Sequence, residues 1–262
     1  MTEEKIIYLC EDSTEGIFTA IYQAFAERHG HSRNRIMIHT TGFNRELFCE
    51  YREVANDYEK AVKVADTIQK KISVPAYEFV QKAAASCRLE KADAIYRFII
   101  EGLAVGERVL NHLTAPFMKT MFELERYTTN EAHYWVEFLR FEELENGMLF
   151  GRINPRNKIL PFLAGHFSDR FSGEDWMIAD TVHRNALIHR KNGGCILASL
   201  DEVDLDELVL KYSDDEKDLQ SLWKLFVDTA AIEERVNRNL QRQMLPLRYR
   251  KYMKEFSAED KK

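Results

Sequence analysis

Residues 147–190 read GMLFGRINPRNKILPFLAGHFSDRFSGEDWMIADTVHRNALIHR, and their order of elements decides what kind of fold the chain can have. Met148 to Ile153 is a strand-like run. Asn154-Pro155-Arg156-Asn157 must turn, because a proline biases the residue before it away from the helical region. Asn157 is placed to cap a helix whose apolar face is Ile159, Leu160, Leu163 and Phe167, with Pro161 in the first turn, where a missing N–H costs little. Ser172-Gly173 ends that helix. Trp176 to Ala179 and Ala186 to His189 follow as two short strands joined by Asp180 to Asn185. A strand, a helix and a hairpin within 44 residues predict mixed α and β structure.

The same stretch holds three of the chain's eight histidines beside several Asp, Asn and Arg residues. On the predicted helix, His166, Asp169 and Arg170 lie three and four apart, on adjoining parts of one face. In the loop, Asp180 and His183 are three apart. Two readings stand side by side. In the first, His166, Asp169, Asp180 and His183 converge to bind a metal or to perform acid–base chemistry, since a carboxylate orients an imidazole and stabilises its cation. Asn154, Asn157, Arg170, Trp176 and Arg184 would then complete the polar centre. In the second, Asp169 and Arg170 form surface ion pairs, His166 packs at a helix end and His183 decorates a turn. Neither H-x-x-D nor D-x-x-H is a diagnostic spacing, the identity of any metal is unknown, and no cofactor is evident. Ser168 and Ser172 lack a nucleophile elbow, no cysteine adjoins a histidine, and neither a Walker loop nor a dinucleotide fingerprint occurs.

Upstream, Glu145-Asn146-Gly147 separates two alternating runs, a strong hairpin signal. The preceding run, Tyr134 to Phe141 (YWVEFLRF), alternates and is expected to be a strand. Pro116 opens a helix over Phe117 to about Tyr127. Earlier helices are expected at Asp57–Lys71, Ala76–Ser86 and Lys91 to about Leu110. On the last of these, Gly102 and Gly106 imply close helix–helix approach rather than a phosphate loop. The N-terminal part reads as strand Lys5–Cys10, a helix capped by Asp12 or Ser13, strand Arg35–Thr40 and a third strand within Leu47–Val54. His29 and His31 fall in the turn after the first helix.

The 262 residues suffice for one or two domains, with 45% hydrophobic and 11% aromatic content. No apolar run approaches the roughly 18 residues that span a bilayer. The start, MTEEKIIYLCEDS, has no basic and apolar leader, so a cytoplasmic location is expected. The four cysteines (Cys10, Cys49, Cys87, Cys195) form no C-x-x-C pair and read as free thiols. A net charge of −6 argues against a generally basic DNA-coating protein, although screening over about 10 Å makes local patches decisive.

One such patch lies near the C-terminus. Asp201 to Asp218 holds nine acidic residues and reads as a solvated connector or a brake on the segment that follows. Leu219, Leu222, Trp223 and Phe226 then mark a long helix, with Asp214-Asp215 at its cap. From Arg235 to Lys254 there are seven basic residues and no acidic ones. Arg235, Arg238, Arg242, Arg248, Tyr249, Arg250, Lys251 and Tyr252 form the candidate nucleic-acid surface, with cations for phosphates and tyrosines for unstacked bases. The alternative is a basic segment that pairs with the acidic connector or a protein partner. Pro246 breaks the helix in the middle of it.

Three segments carry a resemblance: Leu160–Phe167 with Arg170-Phe171, Trp176–Asp180 with Arg184, and Gln243–Tyr249. On these the chain resembles a bacterial family named for DNA repair or DNA metabolism that has no established reaction. Where many members have His-Asn, this chain has Asn157-Lys158. The resemblance implies a role as an accessory factor that binds nucleic acid. It also implies a radical-SAM protein as partner, encoded beside such members, some of which are fused to a uracil-DNA-glycosylase-like domain. A metal-dependent hydrolase or nuclease at His166, Asp169, Asp180 and His183, and a non-catalytic scaffold for a protein partner, remain the alternatives. The expected architecture is α+β, with antiparallel strands, flanking helices and a helical C-terminal arm. The expected division is 1–200 as core, with a sub-boundary near 111–116, and 201–262 as connector and arm.

Overall fold

The computed structural model describes residues 5–42, 45–205, 212–230 and 237–256. The chain divides into two units, Met1–Asn130 and Glu131–Lys262. Within the second unit, Tyr249 of the C-terminal segment packs in the core cluster that holds Trp135, Leu163 and Trp176, and Met253 is buried.

In the first unit, β1 (Lys5–Cys10) lies between β2 (Asn34–Ile38) and β3 (Cys49–Glu53), and both pairings are parallel. This corrects the expectation of antiparallel strands for this part. The reason is visible in KIIYLC: Ile6 to Cys10 are all buried, as in a parallel strand covered on both faces, instead of alternating in and out. Between β1 and β2 runs α1 (Thr14–Ala26), capped by Ser13, whose hydroxyl accepts from Gly16 N at 2.9 Å. After β3 come α2 (Tyr58–Lys71), capped by Asp57, then α3 (Val74–Ala84) and α4 (Lys91–Val105). A 3₁₀ turn, Gly106–Asn111, follows. Gly102 does allow close approach, since a Cβ there would meet Ile72 Cδ1 at 2.5 Å, whereas Gly106 has open space and ends α4 at positive φ. The edge of β2 is finished by α4. Arg97 donates to the carbonyls of His31 and Asn34, each at 2.6 Å, and Asp93 accepts from Ile36 N at 3.2 Å.

Helix α5 runs from Pro116 to Phe138, so the strand expected at Tyr134–Phe141 is instead the end of a helix. The run YWVEFLRF alternates, but Ala132, Trp135 and Leu139 also recur at helical spacing and are the buried residues of the segment. No glycine or proline intervenes after Tyr127 to stop the helix.

The second unit contains a five-stranded sheet in the order β4 (Phe141–Glu143), β5 (Leu149–Ile153), β6 (Trp176–Asp180), β7 (Asn185–His189), β8 (Cys195–Ser199). All pairings are antiparallel except β5 with β6, which α6 (Leu160–Arg170) connects as a parallel crossover. The Asn146-Gly147 hairpin and the 180–185 hairpin form as expected. Trp176 and Ile178 face the cluster that holds Leu163 and Phe167 of α6, while Met177 and Ala179 join Phe150, Ala186 and Leu205 on the other face. Beyond β8 come α7 (Asp214–Ala230), α8 (Arg238–Met244) and a 3₁₀ turn at Leu247–Tyr252, separated by the break at Pro246. Ser213, not Asp214 or Asp215, caps α7, its hydroxyl accepting from Glu216 N at 3.0 Å. Among the described residues, no helix is long and apolar enough to cross a membrane.

Candidate functional site at the carboxyl ends of β5 and β6

Parallel strands end together, and loops leaving those ends enclose a crevice where α/β folds commonly bind ligands. In the second unit, Arg152 lies near the end of β5, Thr181 directly follows β6, and Arg184 closes the hairpin to β7. With Lys251, Tyr252 and residues 201–205 they line a cleft of about 650 Å³. Arg184 is in the left-handed region (φ 56°), a conformation that costs a non-glycine residue on the order of 1 kcal/mol. Its guanidinium offsets that cost by donating Nη2 to the carbonyls of Leu200 (2.5 Å) and Val203 (2.9 Å).

Arg152 is the least settled cation of the cleft. Its Nη2 donates to Tyr212 Oη at 3.4 Å and stands 3.8 Å from Glu142 Oε2, while the guanidinium lies 4.7 Å from the centre of the Tyr252 ring. Its Nε is buried with no hydrogen-bond partner, and Asn154 Oδ1, two residues along, is likewise buried without one. Glu142 also receives Tyr212 Oη and Lys254 Nζ, the latter at 2.7 Å. Burial first, and then the hydrogen bond to Glu142, push the Tyr212 phenol well above its ordinary pKa. Tyr252 Oη lies 3.2 Å from Thr181 Oγ1, and Lys251 is exposed over the Tyr252 ring.

The four residues read as a possible catalytic centre split into two pairs. Asp180 and His183 come together, with Asp180 Oδ2 2.6 Å from His183 Nδ1. Asp180 Oδ1 meanwhile accepts from the backbone N–H groups of Val182 (2.9 Å) and His183 (3.0 Å), so the buried carboxylate shapes the hairpin loop. His166 and Asp169 are exposed on the second half of α6. Ser168, between them, reaches Cys195 Sγ at 3.1 Å, and Cys195 pairs with His189, which pairs with Trp176. That is the opposite end of β6 from Asp180, about 13 Å away at roughly 3.3 Å per residue. Among the described residues no three His, Cys, Asp or Glu side chains are grouped so as to hold a metal ion.

The other polar residues have structural partners. Trp176 is fully buried and stacked on His189 at 5.0 Å. Asn157, also fully buried, caps no helix; Ile159 holds the N-cap position of α6, and Asn157 donates to Glu131 through both N (2.8 Å) and Nδ2 (2.6 Å). Arg170 is exposed beside the Phe171 ring.

The C-terminal basic residues separate in the same way. Arg248 forms an ion pair with the buried Glu131. Tyr249 is 4% exposed against Trp135, Tyr134 and Phe138, so it offers no face to a base. Arg250 is 2% exposed and donates Nε and Nη2 to the carbonyl of Leu245. Tyr249 and Arg250 are thus internal, and Arg248 is half-buried against Glu131. Arg238, Arg242 and Lys251 are exposed, Tyr252 is half-buried at the cleft, and Arg235 lies outside the described residues.

Sequence reasoning missed Glu131 and Arg152. Arg152 carried a faint signal as the one charge in the run LFGRI. Glu131 carried none. Cys10 is no nucleophile, since burial first, and then the neighbouring Asp12, push its thiol up to about 12.

Residues 89–255 match the family DUF4130, a domain of unknown function. That match exceeds half the chain, and the chain belongs to this family. Among curated proteins none matches. One similar solved structure is described as a DHH domain, a member of the s1p family of ribosomal proteins. It is 8% identical over 72% of this chain and 74% of its own, with a TM-score of 0.35. A likeness that low says nothing of ligand or activity.

Proposed function

We propose that this DUF4130 member is a cytoplasmic accessory protein of DNA metabolism that binds nucleic acid through the cleft at the ends of β5 and β6. The radical-SAM partner that the sequence resemblance implies belongs to the same proposal. The observation that supports it is the unpartnered, buried Nε of Arg152 beside Arg184 and the exposed Lys251. A buried guanidinium N–H left unpaired costs on the order of 1–3 kcal/mol, and a phosphate oxygen would satisfy it with a charge-assisted bond. The cleft thus replaces the Arg248–Arg250 segment as the nucleic-acid contact.

A specific feature also supports a protein partner. Helix α7 exposes Leu219, Leu222, Trp223, Leu225 and Phe226, and Trp223 and Phe226 stack at 5.7 Å. Positions 219, 222, 223 and 226 follow the i, i+3, i+4, i+7 pattern of helix-in-groove recognition. Partner contact is assigned here to α7 and nucleic-acid contact to the cleft.

Fluorescence anisotropy of the full chain with labelled single-stranded DNA tests the cleft. Lys251→Glu is expected to weaken binding about tenfold and to flatten its salt dependence. Unchanged affinity at low salt would remove the cleft as the binding surface.

A further inference from the structure

The lining of this cleft carries both charges. Arg152, Arg184 and Lys251 supply cations, and the residues after β8 supply Asp201, Glu202 and Asp204. The mixture is built in. Arg184 Nη2 holds the carbonyls of Leu200 and Val203, which fixes the acidic turn beside that cation. Ser199 Oγ donates to Asp201 Oδ2 at 2.6 Å and accepts from Asp201 N at 3.2 Å, ordering the same turn from the strand side.

We infer that the cleft takes a single phosphorylated nucleotide unit, free or at the end of a strand, and not the continuous backbone of a nucleic acid. The inference rests on the nucleic-acid reading of the cleft. In a duplex, each strand presents a negative charge about every 3.4 Å along the axis. A backbone threaded through a mixed cleft would carry its next phosphates against Asp201, Glu202 and Asp204, and like charges brought together across an interface are strongly unfavourable. One phosphate can seat on the cations alone. Its base then faces the carboxylates, which accept hydrogen bonds from exocyclic amino groups. The volume, about 650 Å³, lies in the range of sites that enclose one small ligand. Arg152 is preset for the phosphate. Tyr212 and Glu142 hold one of its terminal nitrogens and the Tyr252 ring lies against it, so the N–H groups of Nη1 and Nε remain for a ligand.

The experiment uses the full chain and one labelled single-stranded DNA in three forms: 5′-phosphorylated, 3′-phosphorylated, and with hydroxyls at both ends. Deoxynucleoside monophosphates, deoxynucleosides and inorganic phosphate serve as unlabelled competitors. One phosphorylated form is expected to bind about tenfold tighter than the hydroxyl form, the worth of a charge-assisted hydrogen bond. A monophosphate should compete and its nucleoside should not. Lys251→Gln, at an exposed position, should abolish the difference between forms. Asp201→Asn with Asp204→Asn should raise affinity for the hydroxyl form and so narrow the difference from the other side. Equal, Lys251-dependent binding of all three forms would overturn the inference and leave the nucleic-acid reading standing. Monophosphate binding without binding of any strand would uphold the single unit in its free form and remove the nucleic-acid reading. Binding of neither would overturn both.

Discussion

Both units place parallel strands side by side, and the carboxyl end of β1 meets the opposite fate from those of β5 and β6. At the end of β1, polar groups are spent on one another. Lys91 is 1% exposed, pairs with Asp12 at 2.5 Å and donates to the carbonyl of Ser86 at 2.5 Å. Asn56 Nδ2 donates to the Glu11 carboxylate. Gly16 is what lets the chain close so tightly, because a Cβ there would stand 2.7 Å from Glu11 O and 2.9 Å from Asn56 Oδ1. At the ends of β5 and β6, by contrast, a cleft remains and Arg152 keeps an unpaired N–H. The end of β1 is a sealed joint and the ends of β5 and β6 are an open mouth, although a cavity of about 720 Å³ lies along β2 in the first unit. A ligand site is therefore identified by donors left over, not by topology alone.

The sharpest way to break this comparison is to unseal a part of the second unit that is closed. Glu131 accepts from Arg156 N (2.9 Å), Asn157 N and Asn157 Nδ2, and pairs with Arg248. Glu131→Ala leaves three donors and a guanidinium without their acceptor, and is expected to cost about 3–5 kcal/mol. The urea midpoint measures it. Glu131→Gln, which keeps an acceptor oxygen, should cost less. A midpoint at the wild-type value in the alanine variant would mean that the turn before α6 is held by something else. The same logic gives Arg248→Glu a loss of stability, where a pure surface role would give only a loss of DNA affinity.

That distinction marks where the sequence stops being legible. The Asn146-Gly147 hairpin, the two strands around 180–185, the Pro246 break and the cap residues Ser13 and Asp57 are local chemistry, and local chemistry is readable. Parallel pairing of β1 is not, because it depends on which distant segments lie beside KIIYLC. Tyr134–Phe141 satisfied two periodicities at once, and only the absence of a breaker upstream told them apart. Arg248, Tyr249 and Arg250 have the letters of a nucleic-acid surface. What decides their role is Glu131, more than a hundred positions away, and no pattern in the sequence pairs them. His166 and Asp169 were drawn toward Asp180 by proximity in the chain, yet a crossover helix runs antiparallel to its strands and carries its last turn to the opposite end of the sheet.

A milder test addresses the sealed joint itself. Lys91→Met keeps the bulk of the side chain and removes its charge. Asp12 is 41% exposed, so water takes over much of what the ammonium supplied, while the buried Ser86 loses its donor. The expected cost is about 1–2 kcal/mol by thermal or urea unfolding, with DNA affinity unchanged. Lost affinity in a fully folded Lys91→Met protein would mean that the first crevice takes part in binding, and the contrast between the two would fail.

The smallest effect concerns acid, and it reads the surroundings of two titratable groups in the first unit. His31 Nδ1 lies 2.8 Å from Tyr96 Oη; burial first, and then the Arg97 charge, hold its pKa below the usual 6.5. For Glu27, burial alone would raise the pKa, but hydrogen bonds from Gln23 and Tyr8 and the charge and hydrogen bond of Arg52 outweigh it, leaving the value below 4.5. In both cases the unfolded chain binds the proton more readily than the folded one, so stability rises with pH through each range. On acidification the His31 contribution is lost first, as pH falls below about 6.5, and that of Glu27 only below about 4.5. Urea midpoints taken from pH 7.5 to 4 should therefore fall in two stages. Glu27→Gln should shrink the lower stage, to which Asp57, also held below its ordinary value by hydrogen bonds from Lys60, contributes, and leave the upper. His31→Gln, which retains a group able to meet the Tyr96 hydroxyl, should flatten the upper stage; a decline between pH 6.5 and 5 that survives this substitution would place the acid-sensitive group elsewhere.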